Sequence, residues 1–299
     1  MNDFLSVADM APSELIEVLD KAAAVKKDST ASAGALSGKS IGLFFQKPSA
    51  RTRISTEVGA AELGMTPIVL KADEIGLGKR EAVSDVGKVF DRYLDALAFR
   101  VFSHDDLVTL ADNAEAPVIN LLSDLEHPCQ ALADLQTVAE TRPLPETVLT
   151  YVGDGNNVAH SLMLAGAMAG MEIRIVTPPG YEPADSVLAA ANAYAGAVTV
   201  TNDVRQAVSD AHVVYTDVWA SMGQEAEAEA RKKLFMQYQV NGAVFDMAAD
   251  GAIFLHCLPA HRGDEATDDV LDHARSRIFD QAENRLHSFK ALLLHTFGR

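Results

Sequence analysis

Ser49, Arg51, Thr52 and Arg53 follow closely on the apolar run Ile41–Phe45, with Gln46, Lys47 and Pro48 between. Such a run predicts a buried strand, and small hydroxyl residues leading into arginines predict a turn that opens a helix. Helix-opening amides have no intrahelical acceptor and carry partial positive charge, and a guanidinium adds forked donors that match phosphate oxygens. The expected ligand is a phosphate or phosphate ester. Ile54, Val58 and Ala61 fall on one helical face, and Gly64 offers a left-handed stop. Solvated arginines on a helix surface explain the same pair, so the weight of the reading rests on the segments that accompany it.

Five such segments follow. Arg100 ends the apolar stretch Leu97-Ala98-Phe99, where a cation needs a ligand or a carboxylate partner. In Glu126-His127-Pro128-Cys129-Gln130, Pro128 suits a first helical position and fixes His127 at the helix entrance; with Gln130, it suits a carbonyl or carbamoyl group. Val152-Gly153-Asp154-Gly155-Asn156-Asn157 is glycine-rich after a strand, but lacks the third glycine and the later acid of a dinucleotide site, so Asn156 and Asn157 are expected to bind the amino-acid end of a substrate. Asp217-Val218-Trp219-Ala220-Ser221-Met222-Gly223 places a carboxylate and a hydroxyl at another strand end, suited to an ammonium group, although taken in isolation the segment is better explained by an Asp or Ser capping the helix after Gln224. His256-Cys257-Leu258-Pro259 ends the last strand with a thiol, and Arg262 stands near enough in sequence to lower its pKa.

These segments need elements to hold them at strand ends. After an opening helix, Pro12 to about Lys27, strands are predicted at 41–45, 66–70, 96–101, 118–122, 148–152, 172–176, 197–200, 213–218 and 253–257, with helices between them. Alternation of this kind predicts an α/β protein of two domains, each a parallel sheet flanked by helices, joined by interdomain helices. Arg142-Pro143-Leu144-Pro145 marks the boundary, giving domains at 1–140 and 141–280, with 281–299 a C-terminal helix that packs back on the first domain. In open parallel sheets ligands sit beyond the carboxyl ends of the strands.

Composition narrows the possibilities. The 299 residues, 48% hydrophobic, suffice for two cores, and no apolar run or basic start predicts a membrane span or signal peptide. Cys129 and Cys257 have no metal-ligand spacing and fit a reducing cytoplasmic setting. A net charge of −17 opposes nucleic-acid binding and implies that cations are concentrated where an anion binds.

In order, Ser49-Ala50-Arg51-Thr52-Arg53, Arg100, His127-Pro128-Cys129-Gln130, the Asp217–Gly223 turn, His256-Cys257-Leu258-Pro259 and Gln281-Ala282-Glu283-Asn284-Arg285 resemble the motifs of the carbamoyltransferase family, in its ornithine branch, over nearly the whole chain. Ala50 and Ala82 depart from it, at positions where the family usually has threonine and serine. The resemblance implies binding of carbamoyl phosphate by Ser49, Ala50, Arg51, Thr52, Arg100, His127, Gln130 and Arg285. It implies binding of L-ornithine by Asn157, Asp217, Ser221, Met222, Cys257 and Leu258, with Arg100, His127, Asp217 and Cys257 catalytic. It further implies a homotrimer, domain closure, no metal or organic cofactor, and no nucleic-acid or membrane partner. Another amine, such as putrescine or acetylornithine, and a noncatalytic carbamoyl phosphate-binding homologue are the alternatives.

Overall fold

A computed structural model describes residues 3–220 and 227–299. The chain divides into two compact units, one formed by residues 1–133 and 283–299 and the other by 134–282. The first holds a parallel sheet of β1 (Ser40–Phe45), β2 (Thr66–Lys71), β3 (Ala96–Arg100) and β4 (Val118–Leu122), in spatial order β2-β1-β3-β4. β3 and β4 read as near-continuous apolar runs because helices cover both faces of a parallel sheet. Phe44 and Phe99, on adjacent strands, stack at 5.0 Å between ring centroids, in a core with Val86, Leu97, Leu107 and Leu110. The terminal helix Ile278–Thr296 adds its later turns to this unit, where the fully buried Lys290 meets Glu62 at 2.6 Å.

The second unit holds β5 (Val148–Val152), β6 (Glu172–Val176), β7 (Ala197–Thr201), β8 (Val213–Thr216) and β9 (Ile253–His256), in order β7-β6-β5-β8-β9 and parallel throughout. Its core gathers Val152, Val176, Val214, Phe245, Phe254 and Val270. A buried polar network braces it. Tyr215 donates to Asp134 Oδ2 at 3.2 Å, Gln281 Nε2 donates to Asp134 Oδ1 at 2.6 Å, and Gln281 Oε1 accepts the backbone amide of His256 at 2.9 Å.

Each sheet reverses its winding once. β1 and β2 run one way and β3 begins on the other side of β1; likewise β8 begins on the other side of β5. Connections diverge at such a point and leave a crevice at the strand ends. Register makes those ends level: Phe45 pairs with Arg100 in one sheet, Val152 with Thr216 and Thr216 with His256 in the other. Ser49–Thr52 and Arg100 therefore leave from one switch point, and Gly153–Asn157, Asp217 and Cys257 leave from the other or the strand beside it.

The helix after β1, Ala50–Glu62, forms as its sequence predicts, and Gly64 takes φ +84° beyond its end. Its buried face differs from the expected one. Ile54 is 61% exposed and Val58 41%, whereas Thr52, Thr56, Gly59 and Ala60 face inward. Gly59 explains the choice: a Cβ there would lie 3.2 Å from Lys290 Cγ and 3.3 Å from Leu286 Cδ1, so the helix packs through its small residues. No helix among the described residues is long and apolar enough to cross a membrane.

Candidate active site: two half-sites at the strand ends

In the first unit Ser49 stands at the N-cap position, extended at ψ 106°, and its hydroxyl donates to Thr52 Oγ1 at 3.1 Å. Thr52 is buried while Ala50 and Arg51 are exposed on the same first turn. The terminal helix reaches this turn through Arg285, whose Nη2 donates to Thr52 Oγ1 at 3.4 Å and whose Nη1 donates to Gln130 Oε1. Gln130 and His127 come from the entrance of the helix Pro128–Ala139, which opens at the expected proline. His127 is only 5% exposed, and burial, reinforced by the cationic Arg285 and Arg100, pushes its pKa well below the ordinary imidazole value. A neutral ring results, able to donate one hydrogen bond without bringing a charge. The structure thus gathers Ser49, Thr52, Arg100, His127, Gln130 and Arg285. Arg53 falls outside the group: it pairs with Glu57 at 3.2 Å along its own helix.

Cys129, between these residues, points elsewhere. Its thiol donates to Asn120 O at 3.3 Å, and burial pushes its pKa up to about 12, so it is a packed core group.

In the second unit Asp217 leaves β8 with 5% exposure. Its Oδ1 accepts the Cys257 thiol at 3.0 Å and its Oδ2 accepts Asn156 Nδ2 at 3.1 Å. Asp217 is thereby tied to the residue after β9 and to the turn after β5; the helix start after Gln224 that the capping explanation needs lies outside the described residues. Asn156 is itself a cap: its Oδ1 accepts Val158 N at 2.9 Å and Ala159 N at 3.2 Å, opening the helix Asn157–Met168. Its side chain thus ties the start of this helix to Asp217; Asn157, the next residue, is buried at the first helical position. Gly155 lets the turn close, since a Cβ there would lie 2.4 Å from Pro183 N.

Leu258 holds φ 57°, a left-handed conformation that costs an ordinary side chain energy. His256 fixes it. Its Nδ1 accepts Leu258 N at 2.9 Å while Nε2 donates to Glu265 Oε1 at 3.0 Å, and that oxygen also accepts His261 N. Asp217, His256 and Cys257 offer ligand-type atoms within 4.8 Å of one another. Of the three, Asp217 and Cys257 are joined by a hydrogen bond, while the two His256 nitrogens are taken up by Leu258 N and Glu265. Arg262 does not serve Cys257 as the sequence suggested: Asp268 at 2.7 Å and Asp272 at 2.8 Å hold its guanidinium at the surface. Ser221 and Met222 lie outside the described residues.

Sequence reasoning missed the His256–Glu265 pair, the Asn156–Asp217 bond and the Arg231–Asp154 ion pair. Only Asn156 carried a local signal, as an amide side chain immediately before a helix.

Two parallel sheets, one with cations and amides at its switch point and the other with a carboxylate, a thiol and amides, define a two-domain α/β transferase. A family model for the carbamoyl-P binding domain of aspartate/ornithine carbamoyltransferases matches residues 2–140, and the model of their Asp/Orn binding domain matches 146–296. The chain belongs to the aspartate/ornithine carbamoyltransferase family. It is 50% identical to the ornithine carbamoyltransferase of Acidothermus cellulolyticus, covering 97% of this chain and 95% of that one, and 52% identical to that of Thermococcus kodakarensis, covering 88% and 85%. The solved structure of ornithine carbamoyltransferase from Pyrococcus furiosus superposes with a TM-score of 0.96 at 46% identity, covering 99% of this chain and 97% of that one.

Proposed function

We propose that the chain transfers the carbamoyl group of carbamoyl phosphate to the side-chain amine of L-ornithine, giving L-citrulline and phosphate, and that the two half-sites hold one substrate each. The observation that carries the assignment of sites is the pairing of chemistry with topology: the cationic cluster at the β1/β3 switch point suits an anion, and the Asp217–Cys257 pair beside β5 suits an amine.

The roles follow from charge. Arg51, Ser49 and the amides of the first helical turn, including that of Ala50, hold the phosphate and stabilise it as it leaves. Attack on the carbonyl carbon drives negative charge onto the carbonyl oxygen, which Thr52, Arg100 and His127 stabilise; a preorganised donor of this type contributes about 2.7–4 kcal/mol. Neutral His127 supplies its hydrogen bond at any pH above its lowered pKa. Gln130 accepts from Arg285, which turns the amide's NH2 end toward the carbamoyl group. The attacking amine must be unprotonated, although a free alkyl ammonium has a pKa near the lysine value of about 10.4. Asp217 and Cys257 orient it, Leu258 borders it, and Asn157, Ser221 and Met222 take the α-amino and carboxylate groups. The leaving phosphate is the nearest proton acceptor in the chemistry itself.

We place the reaction in arginine metabolism in the cytoplasm, in a homotrimer without nucleic-acid or membrane partners. The decisive assay is citrulline formation with ornithine offered beside putrescine, aspartate and acetylornithine. Preference for ornithine is expected. Faster turnover of another amine would move the assignment to another branch, and carbamoyl phosphate binding with no product from any amine would make the chain a binding homologue.

A further inference from the structure

Arg231 lies on the helix Ala228–Phe235 and is 7% exposed. A guanidinium at that depth has lost most of its hydration and is tolerated only where partners replace it. Its Nη1 donates to Asp154 Oδ2 at 2.8 Å and to Trp219 O at 3.2 Å, and its Nε donates to Glu227 Oε2 at 3.1 Å. Its guanidinium carbon lies 4.9 Å from the centre of the Tyr181 ring.

Those partners sit on separate segments with one thing in common. Asp154 belongs to the turn after β5, two residues before Asn156. Trp219 follows Asp217 by two residues on the segment after β8. Tyr181 lies after β6, and its carbonyl accepts the amide of Gly155 at 2.9 Å. Asn156 and Asp217 are themselves joined, Nδ2 to Oδ2. One buried cation thus grips the backbone or side chains on both flanks of that bond and stacks on the loop that supports it.

We propose that Arg231 is a positioning residue for the amine substrate: through Asp154, Trp219 and Tyr181 it sets the relative placement of the two turns that carry Asn157 and Asp217. The proposal rests on the assignment of ornithine to this half-site. Arg231 touches neither the Asp217 carboxylate nor the Cys257 thiol, so its effect is exerted through the turns. Lysine cannot reproduce it in full, because a single ammonium lacks the planar fork that spans Asp154, Trp219 and Glu227 together.

Asp154 makes the arrangement responsive to pH. Burial pushes its carboxyl up to about 6, opposed by Arg231, with Asp217 and Glu227 adding to the rise; the Tyr151 hydroxyl also faces this charge. Below that pH the carboxyl takes a proton, the charge-assisted bond to Arg231 weakens, and the turn is held less firmly.

Steady-state kinetics on the full chain tests this with Arg231→Lys, Arg231→Gln and the double variant Asp154→Asn/Arg231→Gln, which removes the buried carboxylate together with its partner. A wild-type chain that forms no citrulline from ornithine would overturn the substrate assignment before any variant is compared. With turnover established, Arg231→Gln is expected to raise KM for ornithine about tenfold while KM for carbamoyl phosphate stays within about twofold, and Arg231→Lys to recover part of the loss. The double variant keeps the raised ornithine KM. Between about pH 7 and 5 the wild-type kcat/KM for ornithine should fall more steeply than that of the double variant. An ornithine KM restored to the wild-type value in the double variant, or equal rises in the two KM values for Arg231→Gln, would overturn the positioning role.

Discussion

The two cysteines show how far residue type underdetermines chemistry. Both stand inside motifs, yet Cys129 is sealed in the core with its thiol pushed up to about 12, and Cys257 is partly exposed and bonded to Asp217. A maleimide reagent at about pH 8 should therefore modify one thiol per folded chain, at Cys257, and both after unfolding; peptide mass mapping reads the difference, and labelling of Cys129 in the folded chain would show its burial to be wrong. Cys257→Ala should impair ornithine use more than carbamoyl phosphate binding, since the thiol donates to Asp217. Arg51→Ala should act in the opposite sense, raising KM for carbamoyl phosphate by about tenfold or more because a charge-assisted phosphate contact is lost; unchanged kinetics would remove Arg51 from the phosphate site. Thr52, Arg100, His127 and Asp217 could be singled out because each ends or follows a strand whose apolar run is plain in the chain. The partners that tune them could not. Asp154 and Arg231 lie 77 positions apart, and no periodicity connects them.

At the scale of elements, strand and helix positions were legible because apolar runs and their breakers are local. Which face a helix buries is a tertiary matter. The Ala50–Glu62 helix turns Thr52, Thr56 and Gly59 inward because it must approach the terminal helix closely, and this leaves Ile54, Val58 and, on the edge strand β2, Ile68 exposed in the same unit. Exposed apolar groups beside an open sheet edge favour association. If this face contributes to the proposed homotrimer, light scattering should give three times the 32.0 kDa chain mass, and Ile54→Asp should reduce it; an unchanged mass would place the contact elsewhere. The Asp134–Tyr215–Gln281 network also joins elements that the sequence separates widely. Gln281→Met would remove one of the donors to Asp134, which keeps Tyr215, and strand the buried His256 amide, at a cost of about 1–3 kcal/mol for that amide. Urea unfolding measures that loss, and an unaltered midpoint would show the network to be incidental.

Over the whole molecule the decisive quantity is the charge of −17, with an isoelectric point near 4.8. Repulsion among the surface carboxylates opposes the compact state, and salt relieves it by shortening the screening length from about 10 Å at 0.1 M to about 3 Å at 1 M. The thermal midpoint should therefore rise over that range. The same salt should act against function in one respect, because the proposed phosphate site, with Arg100 and Arg285 beside His127, would attract an anion across solvent and within an otherwise acidic surface. KM for carbamoyl phosphate should rise with salt while stability improves. Ornithine, which reaches its half-site with a net positive charge, feels the acidic surface as an attraction and should lose some of it, but chloride does not compete with it for its site as it does for the anion's. The combination of a rising midpoint with a carbamoyl phosphate KM that increases more steeply than the ornithine KM separates bulk screening from local competition. A midpoint that falls with salt would mean that ion pairs such as Arg262 with Asp268 and Asp272 outweigh the repulsion among carboxylates.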